Sequence, residues 1–184
     1  GVLGKFLGRE QAVRLVKQNV NNIADTIGMV NVLAHELQHY VDEPRNRYLF
    51  LNAHTMNEKI LSMVLCEISA FYTGDSVANE LRTSRGLTVN WMPKTPDDWK
   101  MVMLRALSGD NKRMKWYMNK RREIAQKKNI SFEQKLPSKE FYQGVTDYLN
   151  KMNIPMNFVE AMLCVSQSQK LLPPITSSKA SHDR

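Results

Sequence analysis

Cysteine is nearly missing from this 184-residue chain, with Cys66 and Cys164 its only two. Two thiols cannot make the dense framework that staples small secreted domains. Both sit inside apolar helical patterns and are expected to be buried and unpaired. Glycine and proline are scarce too, at 8 and 7 residues, which excludes collagen-like sequence, low-complexity sequence and long flexible linkers. No apolar run approaches the ~20 residues of a membrane span. The most apolar stretches, such as Ile60 to Cys66, end after one or two turns. A soluble, cytoplasmic protein is the expectation. The chain opens on Gly1, so a targeting segment further upstream would not be seen, and secretion or delivery to a host stays open.

What is present is a core-forming composition, with 42% hydrophobic and 24% charged residues. Eleven Met, six Phe and six Tyr suit adaptable helical packing in one domain of 21.3 kDa. The net charge of +8 is unevenly placed. Residues 1–90 carry 9 basic and 9 acidic side chains, whereas residues 91–184 carry 17 against 9. Much of the excess lies between Lys112 and Lys128, where eight cations face only Glu123.

The patterning is mostly α-helical. Ile27, Val30, Leu33, Leu37 and Val41 recur at helical spacing, which predicts a helix over 27–41. Thr55 and Glu58 have the spacing of a capping box, so a second helix should start at Met56 and stop near Thr73 at Gly74. Residues 83–96, with Gly86, Pro93 and Pro96, read as a loop in which Leu87, Val89 and Trp91 alternate and could form one short strand. Thr95, Pro96, Asp97 and Asp98 open a third helix that ends near Ser108. Further helices are expected at 111–128, 139–152 and 156–171. These elements divide the chain into a core over 1–90, a basic helical region over 91–172 packed on it, and a disordered tail over 173–184.

Within the first helix the sequence reads His35, Glu36, Leu37, Gln38, His39, an HExxH motif. Two imidazoles four residues apart lie about 40° apart around a helix and one turn along it, so both reach one metal ion from the same side. Zinc accepts such a pair, and Glu36, displaced around the helix, can act on a water at the metal as general base. The alternative is a histidine pair that caps a carbonyl or is merely solvated. A catalytic zinc site takes three protein ligands and leaves one position open. Glu67 is the candidate third. It shares a helical face with Ile60, Met63, Val64, Ala70 and Phe71, where a carboxylate is costly unless paired or metal-bound. A salt bridge at the edge of that stripe would also account for it.

The run AHELQH at Ala34 to His39, followed by CEISA at Cys66 to Ala70, resembles the zincin metallopeptidases of the Glu-ligand type, the gluzincins in the broad sense. It is particularly similar to small, poorly characterised bacterial domains with an HExxH helix and a downstream ExxA helix. The likeness covers about a third of the chain, residues 27 to 80. It implies a mostly α, zincin-like core, Zn2+ held by His35, His39 and Glu67, and Glu36 as catalytic base. The implied activity is hydrolysis of peptide bonds in a protein or peptide substrate. The metzincin variant is excluded, because Asp42 and Arg45 stand where its glycine and third histidine would be. Phe71 stands where the thermolysin-like pattern has Asp, so that carboxylate is absent or supplied elsewhere, by Asp75 or Asp42. No strand is evident upstream of the motif helix to hold substrate backbone. For the oxyanion, His54, Tyr48 and Tyr72 are nearby donors, none singled out.

The stretch Lys112 to Lys128 places Met114, Tyr117, Met118, Ile124 and Ala125 on one side and most cations on the other. A solvated helix face packed by its Met and Tyr residues explains this amphipathicity. Nucleic-acid phosphates, an acidic membrane surface or an acidic protein would be alternative partners, and Trp116 among the cations fits them. The competing function class is therefore a regulatory module on a zincin scaffold, its metal structural or lost, its basic half engaging nucleic acid or a protein.

Overall fold

The computed structural model describes residues 23–108 and 136–171, the short pieces 119–120, 123–124 and 127–128, and, as backbone only, 4–7 and 12–15. Among the described residues five α-helices dominate: α1 Ile23–Asn52, α2 Met56–Ser84, α3 Pro96–Ser108, α4 Lys139–Lys151 and α5 Phe158–Leu171. The mostly α expectation holds. Ahead of α1, strands β1 Gly4–Leu7 and β2 Ala12–Leu15 pair antiparallel, Gly4 opposite Leu15 and Leu7 opposite Ala12, and the pair packs against α1. The sequence reading finds no strand there. Gly4–Leu7 and Ala12–Leu15 are four residues each, too short for alternation to declare itself.

Helix starts are chemically explicit. Thr55 Oγ1 accepts from Glu58 N at 3.2 Å while Glu58 Oε2 accepts from Thr55 N at 2.8 Å and from His54 N at 2.6 Å. Thr95 and Asp98 repeat the box at α3, and Asn157 and Glu160 repeat it at α5. Ser138 caps α4 through Phe141 N at 3.1 Å and donates its hydroxyl to Asn52 O at 3.2 Å, which fastens α4 to the end of α1.

Two helices run further than their sequence signals. α1 continues through Pro44, whose ring removes one intrahelical bond but does not break a helix held on both sides by packing. α2 continues through Gly74, which is buried mid-helix and not a stop. A Cβ there would meet Asn31 O at 2.8 Å, so glycine is what lets α1 and α2 touch. α2 then ends at Arg85, with Gly86 at φ 65°. Residues 87–95 are irregular, and Leu87, Val89 and Trp91 are exposed there and form no strand.

One apolar cluster draws on all five helices, with α2 at its centre. Ile60, Leu61, Val64, Leu65 and Ile68 meet Leu49 of α1, Trp99 and Met103 of α3, Phe141 and Val145 of α4 and Ala161 and Val165 of α5. By length and apolarity α2 could cross a membrane, but half of its most apolar window is buried here and it carries Glu58, Glu67 and Asp75, as befits a core helix. Of the apolar positions whose spacing marks α1, Ile27 is buried, whereas Leu33, Leu37 and Val41 are exposed, and the other buried residues of the helix are His35, Glu36, Asp42 and Leu49. The expected helix over 111–128 falls largely outside the described residues, of which 119–120, 123–124 and 127 are helical and Lys120 pairs with Glu123 at 3.1 Å. The expected tail over 173–184 also lies outside them.

Candidate metal centre

α1 and α2 form an antiparallel helical hairpin closed by Ala53–Thr55. Asn31 donates to Asp75 at 2.8 Å at the far end, and Ser69 donates to Asp42 at 2.7 Å nearer the turn. Between these ties the two helices bring His35, His39 and Glu67 together, the three residues the HExxH and downstream glutamate singled out. His35 Nε2, His39 Nε2 and Glu67 Oε2 form a triangle with sides of 3.2, 3.8 and 3.9 Å. The point equidistant from its corners lies about 2.1 Å from each atom, the length of a zinc bond to imidazole or carboxylate. The three donors are thus spaced closely enough to share one small divalent cation. His35 is buried, while the Glu67 side chain is 32% exposed, so the triangle opens on one side to solvent.

Glu36 is buried beside His35, about 100° around the helix from it. Phe71 packs edge-on against the His35 ring, 4.5 Å between centroids. The position that holds a carboxylate in the thermolysin-like pattern thus restrains an imidazole by apolar contact.

The group that faces the other nitrogen of His39 is neither Asp42 nor Asp75. His39 Nδ1 lies 3.1 Å from Cys66 Sγ, and Asn46 Nδ2 lies 2.6 Å from the same sulfur. Burial, with the nearby Glu67 and Asp42 charges adding to it, pushes the Cys66 thiol up to about 12, so it keeps its proton at neutral pH. A protonated thiol can accept from His39 Nδ1–H and donate onward. Asn46 Oδ1 is buried with no partner among the described residues, and rotating that amide by a half-turn would present it to the S–H. In the tautomer protonated at Nδ1, His39 turns its Nε2 lone pair toward the other two donors. Of the two cysteines expected to be buried and unpaired, Cys164 is simply that; Cys66 is free but only partly buried and belongs to this site.

Asp42 serves the scaffold. Fully buried, it accepts from Gln38 at 2.8 Å, Arg45 at 3.0 Å and Ser69 at 2.7 Å. The Tyr148 hydroxyl of α4 lies 3.1 Å from Asp42 and 3.0 Å from Leu65 O, with one proton to give between them. Asp75 is engaged by Asn31. Of the oxyanion candidates, His54 lies beyond the end of α1, about 20 Å along the axis from His39. Tyr48 is on the outer side of α1, and Tyr72 stacks on Trp99 at 5.1 Å. Asn46 was missed in the sequence, although it stands seven residues after His39, two turns along the same face.

No family model matches the chain, and comparison with curated proteins and with solved structures finds no match.

Proposed function

We propose that this protein is a zinc-dependent metallopeptidase that hydrolyses peptide bonds in a protein substrate. The observation that carries the reading is the convergence of His35, His39 and Glu67 at zinc-bond spacing beside the buried Glu36. When bound, zinc would supply Lewis acidity toward a substrate carbonyl and toward water. The two imidazoles and the Glu67 carboxylate would hold it, the carboxylate offsetting part of its charge, and the exposed side of the triangle would be left for substrate. Glu36 takes a proton from the attacking water as the new C–O bond forms. It returns that proton to the amide nitrogen as the C–N bond breaks, so acid and amine leave with no net change in the protein. Phe71 and Cys66 keep the histidine rings in place while this happens.

The reading is tested by Glu36→Gln, which preserves shape and zinc content but cannot accept the proton. Cleavage of a denatured protein or peptide library should fall by ~10²–10⁴-fold. Equal cleavage by both proteins at equal zinc content would remove Glu36 from the reaction. Absence of cleavage by either would favour the regulatory module.

A further inference from the structure

Four polar side chains join α1 to α2 beside the candidate metal centre. Thr73 Oγ1 donates to Gln38 Oε1 at 3.2 Å, and Gln38 Nε2 donates to Asp42 Oδ2 at 2.8 Å. Ser69 Oγ donates to that same carboxylate oxygen at 2.7 Å. Gln38 and Asp42 stand one turn apart on α1, and Ser69 and Thr73 stand one turn apart on α2. The relay therefore crosses between the helices twice. At its centre Ser69 and Asp42 are 0 and 1% exposed, so a donor removed there leaves the carboxylate short of a partner.

The relay lies next to the metal donors in both helices. Gln38 immediately precedes His39, and Ser69 follows Glu67 by two residues. Ser69 and Thr73 are about 120–160° around α2 from Glu67, so the tie is made on the side of α2 away from that carboxylate. Apolar packing at this level does little to fix how far α2 stands along α1. Ala70, Gly74 and Ala78 are buried at four-residue spacing, and Gly74 lies directly on Asn31. Small side chains let the helices approach but offer no ridge to lock their register. A slide of one residue is about 1.5 Å, whereas a binding constellation has to be held within about 0.5 Å. Directional bonds across the hairpin supply that precision.

We propose that Gln38, Asp42, Ser69 and Thr73 are positioning residues of the metal centre: their relay fixes the register of α2 on α1 and so holds Glu67 against His35 and His39. The inference rests on the metal reading of those three donors and adds which neighbours set their spacing.

Zinc affinity, measured by competition with a chromophoric chelator, and unfolding in urea test it together. Ser69→Ala and Thr73→Val should each weaken zinc binding by about tenfold or more. Thr73→Ser, which keeps the hydroxyl, should recover the parent affinity. Ser138→Ala is the comparison, because it removes the cap of α4 and a bond from α4 to Asn52 but no bond between α1 and α2. It should lower stability in urea yet leave zinc affinity within about twofold of the parent. With cobalt(II) in place of zinc, the visible bands should shift in Ser69→Ala and Thr73→Val and stay unchanged in Ser138→Ala. Parent affinity in both relay variants, or equal weakening by Ser138→Ala, would overturn the positioning role while leaving the metal site standing. A parent chain that takes up no zinc would overturn the metal reading, and the positioning role with it.

Discussion

His39 and Cys66 show how much of the candidate centre rests on single side chains. An imidazole ligates through one nitrogen only if the other keeps its proton, and a partner at that second nitrogen fixes which is which. In this chain the partner is a protonated thiol at 3.1 Å, itself tied to Asn46. Cys66→Ala should therefore weaken zinc binding by about 10–100-fold, measured by competition with a chromophoric chelator. Cys66→Ser, which retains an acceptor and a donor, should recover most of the loss. Equal affinity in all three proteins would make the sulfur a bystander. The three candidate donors are legible in the sequence because HExxH is a local motif and Glu67 interrupts an apolar stripe. Cys66 and Asn46 are not, because their roles exist only once α2 lies against α1.

Among the elements, α2 offers a test in which two local rules disagree. Replacing a mid-helix glycine by alanine normally stabilises by about 1 kcal/mol. At Gly74 the new Cβ would stand 2.8 Å from Asn31 O, a backbone atom of α1 that cannot move alone. Overpacking of this kind costs about 1–3 kcal/mol. Gly74→Ala should accordingly destabilise the fold in urea titration, and a stabilised variant would show that the helices separate freely there. The same contact explains why the end of α2 was misplaced: glycine is a stop signal in isolation and a spacer where helices cross. The caps, by contrast, are local and were read correctly at Met56 and Pro96. Asp98 illustrates their chemistry. Hydrogen bonds from the Lys94 and Thr95 amides hold its carboxyl below its usual 3.8. A carboxyl lowered on folding contributes stability in full above its unfolded value and loses it as pH falls through the lowered folded value. Asp98→Asn should therefore be less stable than the parent near neutrality, and the gap should close on acidification below about pH 3.8. A gap that persists or widens in acid would contradict the cap.

At the level of the whole molecule, α1 has two faces of opposite character. Its periodic apolar residues announce an amphipathic helix, and the natural expectation is that they face the core. Instead the buried side is polar, with His35, Glu36 and Asp42 turned toward α2, and the apolar side is turned out. Periodicity reveals that a helix has two faces but does not say which one the rest of the chain will cover. Burying three ionisable groups on one helix is expensive. Asp42 meets its cost through Gln38, Arg45 and Ser69, with Tyr148 alongside. The His35, His39 and Glu67 cluster could hold a cation, which would satisfy three converging donors at once. That claim is tested most directly by the zinc content of the purified chain after reconstitution and desalting, measured beside His35→Ala and His39→Ala. One zinc per chain in the parent, and essentially none in either variant, is the predicted result. A parent without stoichiometric zinc, or a variant that keeps it in full, would contradict the account.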